Sequence, residues 1–137
     1  MKRTRLRKRS KKDTILKRLQ NKAENLWKQV CKDRDKVCQI CGSKEVLQVH
    51  HIFSRKNKGL FLDVENGILL CRNCHCKVSF GDDGLKEKIR RIKIKKDPAT
   101  YDRLYEQDLD KSPFLEWKNI NYLEEQIKIL QSIQEEK

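Results

Sequence analysis

Two cysteine pairs carry the sharpest chemical signal in the chain. Cys38 and Cys41 form one CxxC, Cys71 and Cys74 a second, with 29 residues between them. A CxxC turn aims two sulfurs at one metal ion, and two such turns close a tetrahedral four-thiolate zinc site. A disulfide reading needs an oxidising compartment, for which the sequence offers no sign. Cys31 and Cys76 fall outside the pattern. Cys31 is expected to pack beside the first helix, and Cys76 to stand near the metal without binding it. The three histidines, His50, His51 and His75, lie between or beside the cysteine pairs. Neutral imidazole is both a metal ligand and a base near pH 7. On an extended strand His50 and His51 point to opposite faces. One can then bind metal while the other moves a proton.

The elements that must hold these groups can be read from spacing. Asp13 reads as an N-cap, and Ile15, Leu16, Leu19, Ala23, Leu26, Trp27 and Val30 follow at helical intervals over about 14–33. Gly42 closes the first knuckle, and Val46 to Phe53 reads as a strand. Residues 54–60 form a basic loop. Asn66-Gly67 reads as a turn, leading into a buried strand at Ile68-Leu69-Leu70 and a short helix from about 72. Gly81 and Gly84 interrupt the chain, and 85–96 reads as a basic helix with Leu85, Ile89 and Ile92 on one face. Asp97-Pro98 opens a helix with Tyr101, Leu104 and Tyr105 inward. Ser112-Pro113 repeats that signal before a stripe of Phe114, Trp117, Ile120, Leu123, Ile127 and Leu130, expected to be core or interface.

Composition narrows the class. The chain has 137 residues, a net charge of +13, 36% hydrophobic residues and 39% charged residues. So modest an apolar fraction favours a fold helped by metal binding, on the order of 10 kcal/mol in small zinc domains. Residues 1–22 hold eleven Lys/Arg against Asp13 alone, a net +10; residues 23–96 carry +8 and residues 97–137 carry −5. The excess of positive charge points to a polyanion partner. Residues 1–12 read as a disordered basic arm able to contact phosphates. No stretch is apolar enough to span a bilayer, and the basic N-terminus lacks the apolar run of a secretory signal. There is no internal repeat and no Pro- or Ser-rich linker.

Together, Cys38-Gln-Ile-Cys-Gly42, Leu47-Gln-Val-His-His-Ile52 and Asn66-Gly-Ile-Leu-Leu-Cys-Arg-Asn-Cys-His75 resemble the HNH nuclease family over about residues 27–80. That resemblance implies an α+β fold. A zinc-stapled ββα-metal core clasps one catalytic divalent ion, with flanking helices before and after it. The division is then an arm at 1–12, a core with its N-terminal helix at 13–84 and a helical extension at 85–137. Leu26-Trp27 and Arg34-Asp35 also resemble the phage recombination endonucleases that cut branched DNA. By this resemblance His51 is the general base, Asn66 supports the active-site loop, and His50 and His75 bind the catalytic ion. Cys38, Cys41, Cys71 and Cys74 hold structural zinc. The family often has Asp where His50 stands, and two imidazoles suit Mn²⁺, Ni²⁺, Co²⁺ or Zn²⁺ better than Mg²⁺.

The implied activity is metal-dependent (Mg²⁺, Mn²⁺ or Ni²⁺) hydrolysis of DNA to 5′-phosphate and 3′-hydroxyl ends, by nicking or on branched, Holliday-junction-type DNA. Arg55, Lys56, Lys58 and Arg72 are placed to grip phosphates. The expected setting is the cytoplasm of a prokaryotic or phage-infected cell. DNA is the partner, and a homodimer would serve double-strand cutting. The competing reading is an inactive zinc-containing nucleic-acid-binding or accessory module.

Overall fold

The structure, a computed structural model, describes Lys8 and residues 10–136. Of the arm expected over 1–12, residues 1–7 and 9 lie outside the described residues. The first helix, α1, runs Lys11–Asp35 and begins earlier than the Asp13 cap expected from sequence. Ser10 is the cap: its Oγ accepts from the Asp13 N–H at 3.1 Å. Asp13 instead sits in the first turn, where a carboxylate meets the positive end of the helix dipole. Lys36, with φ of 65°, ends the helix and donates its N–H to the Lys32 carbonyl.

Two short strands follow, β1 (Leu47–His51) and β2 (Gly67–Cys71), paired antiparallel with His50 opposite Ile68 and His51 opposite Gly67. β1 is shorter than the Val46–Phe53 expected. At one end Val46 turns into the left-handed region with φ of 45°. At the other, Asn66 takes over the pairing, as described below.

Asn66-Gly67 closes a turn, as read from sequence, with the Gly67 N–H donating to the Val64 carbonyl. Asn66 ends a 3-10 turn at Val64–Asn66, and Gly67 is extended with φ of −110°. The glycine is required by proximity. A Cβ at Gly67 would lie 2.6 Å from Cys31 Sγ and 2.8 Å from Trp27 Cζ2, so its absence lets α1 press against β2. Cys31 thus packs inside the α1–β2 contact.

α2 (Arg72–Ser79) leaves β2 directly, and Gly81, with φ of 90°, breaks the chain after it. α3 spans Asp83–Lys96 under an Asp82 cap, so Gly84 lies inside its first turn and does not interrupt it. α4 spans Pro98–Leu109, with Asp97 capping and Pro98 in the first turn as read from sequence. It buries Leu104, while Tyr105, expected inward, is exposed.

Ser112-Pro113 opens no helix. Phe114 precedes a 3-10 turn at Leu115–Lys118, and α5 (Ile120–Glu135) begins under Asn119, whose side chain accepts from the Tyr122 N–H. Ser112 is engaged elsewhere, its N–H donating to Asp110 Oδ1. The α5 stripe is core: Ile127 and Leu130 pack with Ala23, Trp27 and Val30 of α1 and with Phe61 and Leu62. A second cluster joins Cys38, Ile68, Leu70, Cys71, Cys74, Val78 and Ile89.

Arg34 and Asp35 bolt the end of α1 to β2. Arg34 donates to the carbonyls of Val64 (2.6 Å) and Gly67 (2.7 Å) and pairs with Asp35 at 2.8 Å. Asp35 in turn accepts the Leu69 N–H at 3.0 Å. Burial opposes ionisation of Asp35, but Arg34 and this N–H hold its carboxyl below the usual range. Lysine cannot reproduce the guanidinium fork. Arg34→Lys is therefore expected to destabilise the chain by about 2–3 kcal/mol, the scale of a lost hydrogen bond to a charged group, read as a lower urea midpoint with an unchanged slope.

Candidate active site and metal centre

The cysteine knuckles are built by local turns. Cys38 donates its N–H to the Ser43 carbonyl and accepts from the Gly42 N–H, both at 2.9 Å, and Gly42 takes a φ of 75° that suits glycine. On the other side, Cys71 is the N-cap of α2, its Sγ accepting from the Cys74 N–H. The four Sγ atoms of Cys38, Cys41, Cys71 and Cys74 lie within 4.8 Å of one another. Tetrahedral zinc with bonds of about 2.3 Å sets its sulfurs about 3.8 Å apart, so the donor set fits. These four residues could hold zinc. They are the one group of three or more such ligands among the described residues.

The thiols are electrostatically unequal. Burial works against ionisation of Cys38, but backbone N–H groups at the knuckles overcome it and bring the thiol down to about 6. Burial and neighbouring thiols push Cys74 up. A cation among them reverses that conflict. Cys76 is exposed and lies outside the cluster.

His51 occupies a different environment on the same sheet. Its ring lies between Trp27, at 4.1 Å and 13°, and Phe61, at 4.6 Å and 29°. Its Nε2 is 3.0 Å from the Phe61 carbonyl. A carbonyl only accepts, so Nε2 carries the proton and Nδ1 presents a lone pair. Nδ1 has no partner among the described residues, yet no buried side-chain nitrogen lacks one. It therefore reaches solvent. Burial, with Arg55 and Lys58 nearby, lowers the imidazole to about 4 although the Phe61 carbonyl opposes this. The ring is neutral at pH 7.

Asn66 is fully buried and ties the loop that carries Phe61. It accepts the Phe53 N–H at its Oδ1 (2.8 Å) and the Ile52 N–H at its carbonyl (2.9 Å), and donates from Nδ2 to the Leu60 carbonyl (3.1 Å). Trp27 adds a tie, donating its indole N–H to the Asp63 carbonyl at 2.8 Å.

His50 faces away from His51, toward α2. Its ring centroid is 5.4 Å from that of His75. His75 Nδ1 is 2.6 Å from Gln48 Oε1. With the amide oxygen accepting, Nδ1 carries the proton and Nε2 is free to ligate. Burial first, then the neighbouring histidines, lowers His50 to about 4, and burial lowers His75. Both are neutral, as ligation requires.

A cleft of about 600 Å³ gathers all three histidines, with Lys28, Lys32 and Arg55 on its walls and no carboxylate in its lining. Arg55 reaches it while pairing with Glu24 at 3.1 Å. Lys56, Lys58 and Arg72 do not line it. Lys58 instead lies over the rings of Phe61 (4.2 Å) and Trp117 (5.1 Å). Lys28, Lys32 and Gln48 are cleft residues that sequence reasoning missed. The available signals were the i, i+4 spacing of the two lysines on α1 and the i, i+2 spacing of Gln48 and His50 on β1.

Comparison with curated proteins and with solved structures gives no match. Residues 38–80 match the family model described as HNH endonuclease. That stretch contains both knuckles, both strands, α2 and all three histidines. The chain thus carries an HNH endonuclease domain over residues 38–80, with a four-cysteine cluster that could hold zinc.

Proposed function

We propose that this chain is a metal-dependent DNA endonuclease in which His51 is the general base. The observation that carries this reading is the fixed tautomer of His51: Nε2–H is held by a carbonyl and Nδ1 opens to solvent. His50 and His75 bring two neutral imidazoles together in the same cleft, and the Gln48 contact leaves His75 Nε2 to bind a cation. A divalent ion held by them would stabilise charge on the scissile phosphate and the departing oxygen. Lys28, Lys32 and Arg55 supply positive charge for the DNA backbone. His51 Nδ1 takes a proton from water, the water oxygen bonds to phosphorus, the bond from phosphorus to the 3′-oxygen breaks, and the departing 3′-oxygen takes a proton from solvent. The products are a 5′-phosphate and a 3′-hydroxyl. Asn66 keeps the Phe61 carbonyl in place beneath the base, and zinc at the four cysteines staples the strands to α2.

One such cleft cuts one strand, so nicking is the elementary reaction, and cutting both strands of a duplex or junction calls on two copies. Trp27 and Arg34 anchor His51 and β2, a service any DNA substrate needs, so they do not by themselves select branched DNA. The cytoplasm keeps thiols reduced for metal and is the setting this reading favours. Among the described residues no helix is long and apolar enough to cross a membrane.

Two imidazoles without a carboxylate make a poor Mg²⁺ site. Nicking of supercoiled plasmid is therefore expected to be faster with Mn²⁺ or Ni²⁺ than with Mg²⁺, and His50→Asp should shift the preference toward Mg²⁺. DNA ligase should seal the nicks without further treatment. Nicks that ligase cannot seal would contradict the proposed chemistry.

A further inference from the structure

A second cavity, of about 680 Å³, adjoins the cleft and shares His50, His51 and Ser54 with it. It is bounded by α2, α3 and α4, and its lining differs in kind. Phe53 and Tyr101 form an aromatic pair with centroids 5.6 Å apart, and Ile89 adds apolar surface. Lys86 and Arg90 are matched there by Asp83 and Glu87. The cleft attracts anions, whereas this neighbour carries balanced charge and offers an anion no net attraction. A flat, neutral heterocycle gains there what it seeks: aromatic faces for stacking, a guanidinium donor and a carboxylate acceptor. Glu87 pairs with Arg90 at 3.0 Å, both side chains about half exposed, so the pair can exchange partners. The volume lies in the usual range for ligand sites. With a phosphate in the cleft, the adjoining nucleotide of the same strand is the group that reaches this cavity. A base stacked and paired within a duplex cannot enter it.

We propose that this second cavity receives the base of an unpaired nucleotide beside the phosphate being cut, so that the chain acts where a duplex is already open, at a bulge, overhang or branch. The proposal rests on the endonuclease reading above for its cutting step, but the binding step stands by itself.

The test uses the full zinc-loaded chain and duplexes carrying one unpaired 2-aminopurine at successive positions, against fully paired controls. With no chelator and no added divalent ion, binding should quench 2-aminopurine at one position. In Mn²⁺, single-turnover cutting beside that position should exceed cutting of paired DNA by about tenfold or more, the scale of one base stacked on an aromatic ring. Tyr101→Ala should abolish the quench and bring the ratio of the two rates toward one. Glu87→Arg, at a half-exposed helix position and checked for a matching melting curve, should lower the ratio by unbalancing the charge. Equal cutting of both substrates with no quench at any position would overturn the cavity's role while leaving the nuclease intact. A quench with no cutting of any DNA in any divalent ion would instead remove the nuclease reading and support the cavity.

Discussion

Stripping metal from the four-cysteine cluster is expected to cost the chain on the order of 10 kcal/mol of folding free energy. Cys38, Cys71 and Cys74 are buried and are three of the seven residues in the cluster that joins β2, α2 and α3. The remaining apolar members, Ile68, Leu70, Val78 and Ile89, are too few to hold that corner together without the staple. Cys71 also caps α2, so losing the metal loosens the helix that carries His75. A chelator under reducing conditions should lower the thermal midpoint by tens of degrees, and zinc should restore it. Cys71→Ser should behave like the stripped protein. A chelated chain that melts within a few degrees of the loaded one would show that the cysteines serve no metal.

Trp27→Ala is expected to cost about 3–5 kcal/mol, the range for deleting a large buried aromatic side chain. Trp27 is fully buried, abuts Gly67 where a Cβ would not fit, and donates to the Asp63 carbonyl. It also forms one wall of the His51 slot. The alanine variant should therefore melt early and, at temperatures where it remains folded, cut DNA much more slowly. Trp27→Phe keeps a ring on His51 but loses the indole bond to the Asp63 carbonyl, which still accepts the Asn66 N–H at 3.0 Å. It should lose about 0.5–1.5 kcal/mol of stability and retain most of its cutting. Equal loss of cutting in the two variants would mean that the indole acts through something other than stacking.

Much of this site was legible because its signals are local. A CxxC defines its own turn, and adjacent histidines on a strand face opposite ways, as His50 and His51 do. The Asp97-Pro98 cap was readable for the same reason. What escaped depends on packing between distant segments. Asn66-Gly67 has the composition of a turn and closes one, but Gly67 is needed because Trp27 and Cys31 of α1 come within a Cβ's reach of it. The caps at Ser10 and Asn119 competed with Asp13 and with Ser112-Pro113, and hydrogen-bond geometry rather than residue type decided between them. Lys28 and Lys32 look like any solvated helix face until α1 is laid beside β1. Lys58 sits in a basic loop, yet it rests on Phe61 and Trp117 outside the cleft.

The most direct test of His51 as base compares single-turnover nicking of supercoiled plasmid by the wild-type chain and by His51→Ala, both zinc-loaded and with matching melting curves, in saturating Mn²⁺. The expected result is a loss of about 10²- to 10⁴-fold in the variant, the usual worth of a general base, with DNA binding retained. Cutting by His51→Ala at the wild-type rate would contradict the assignment.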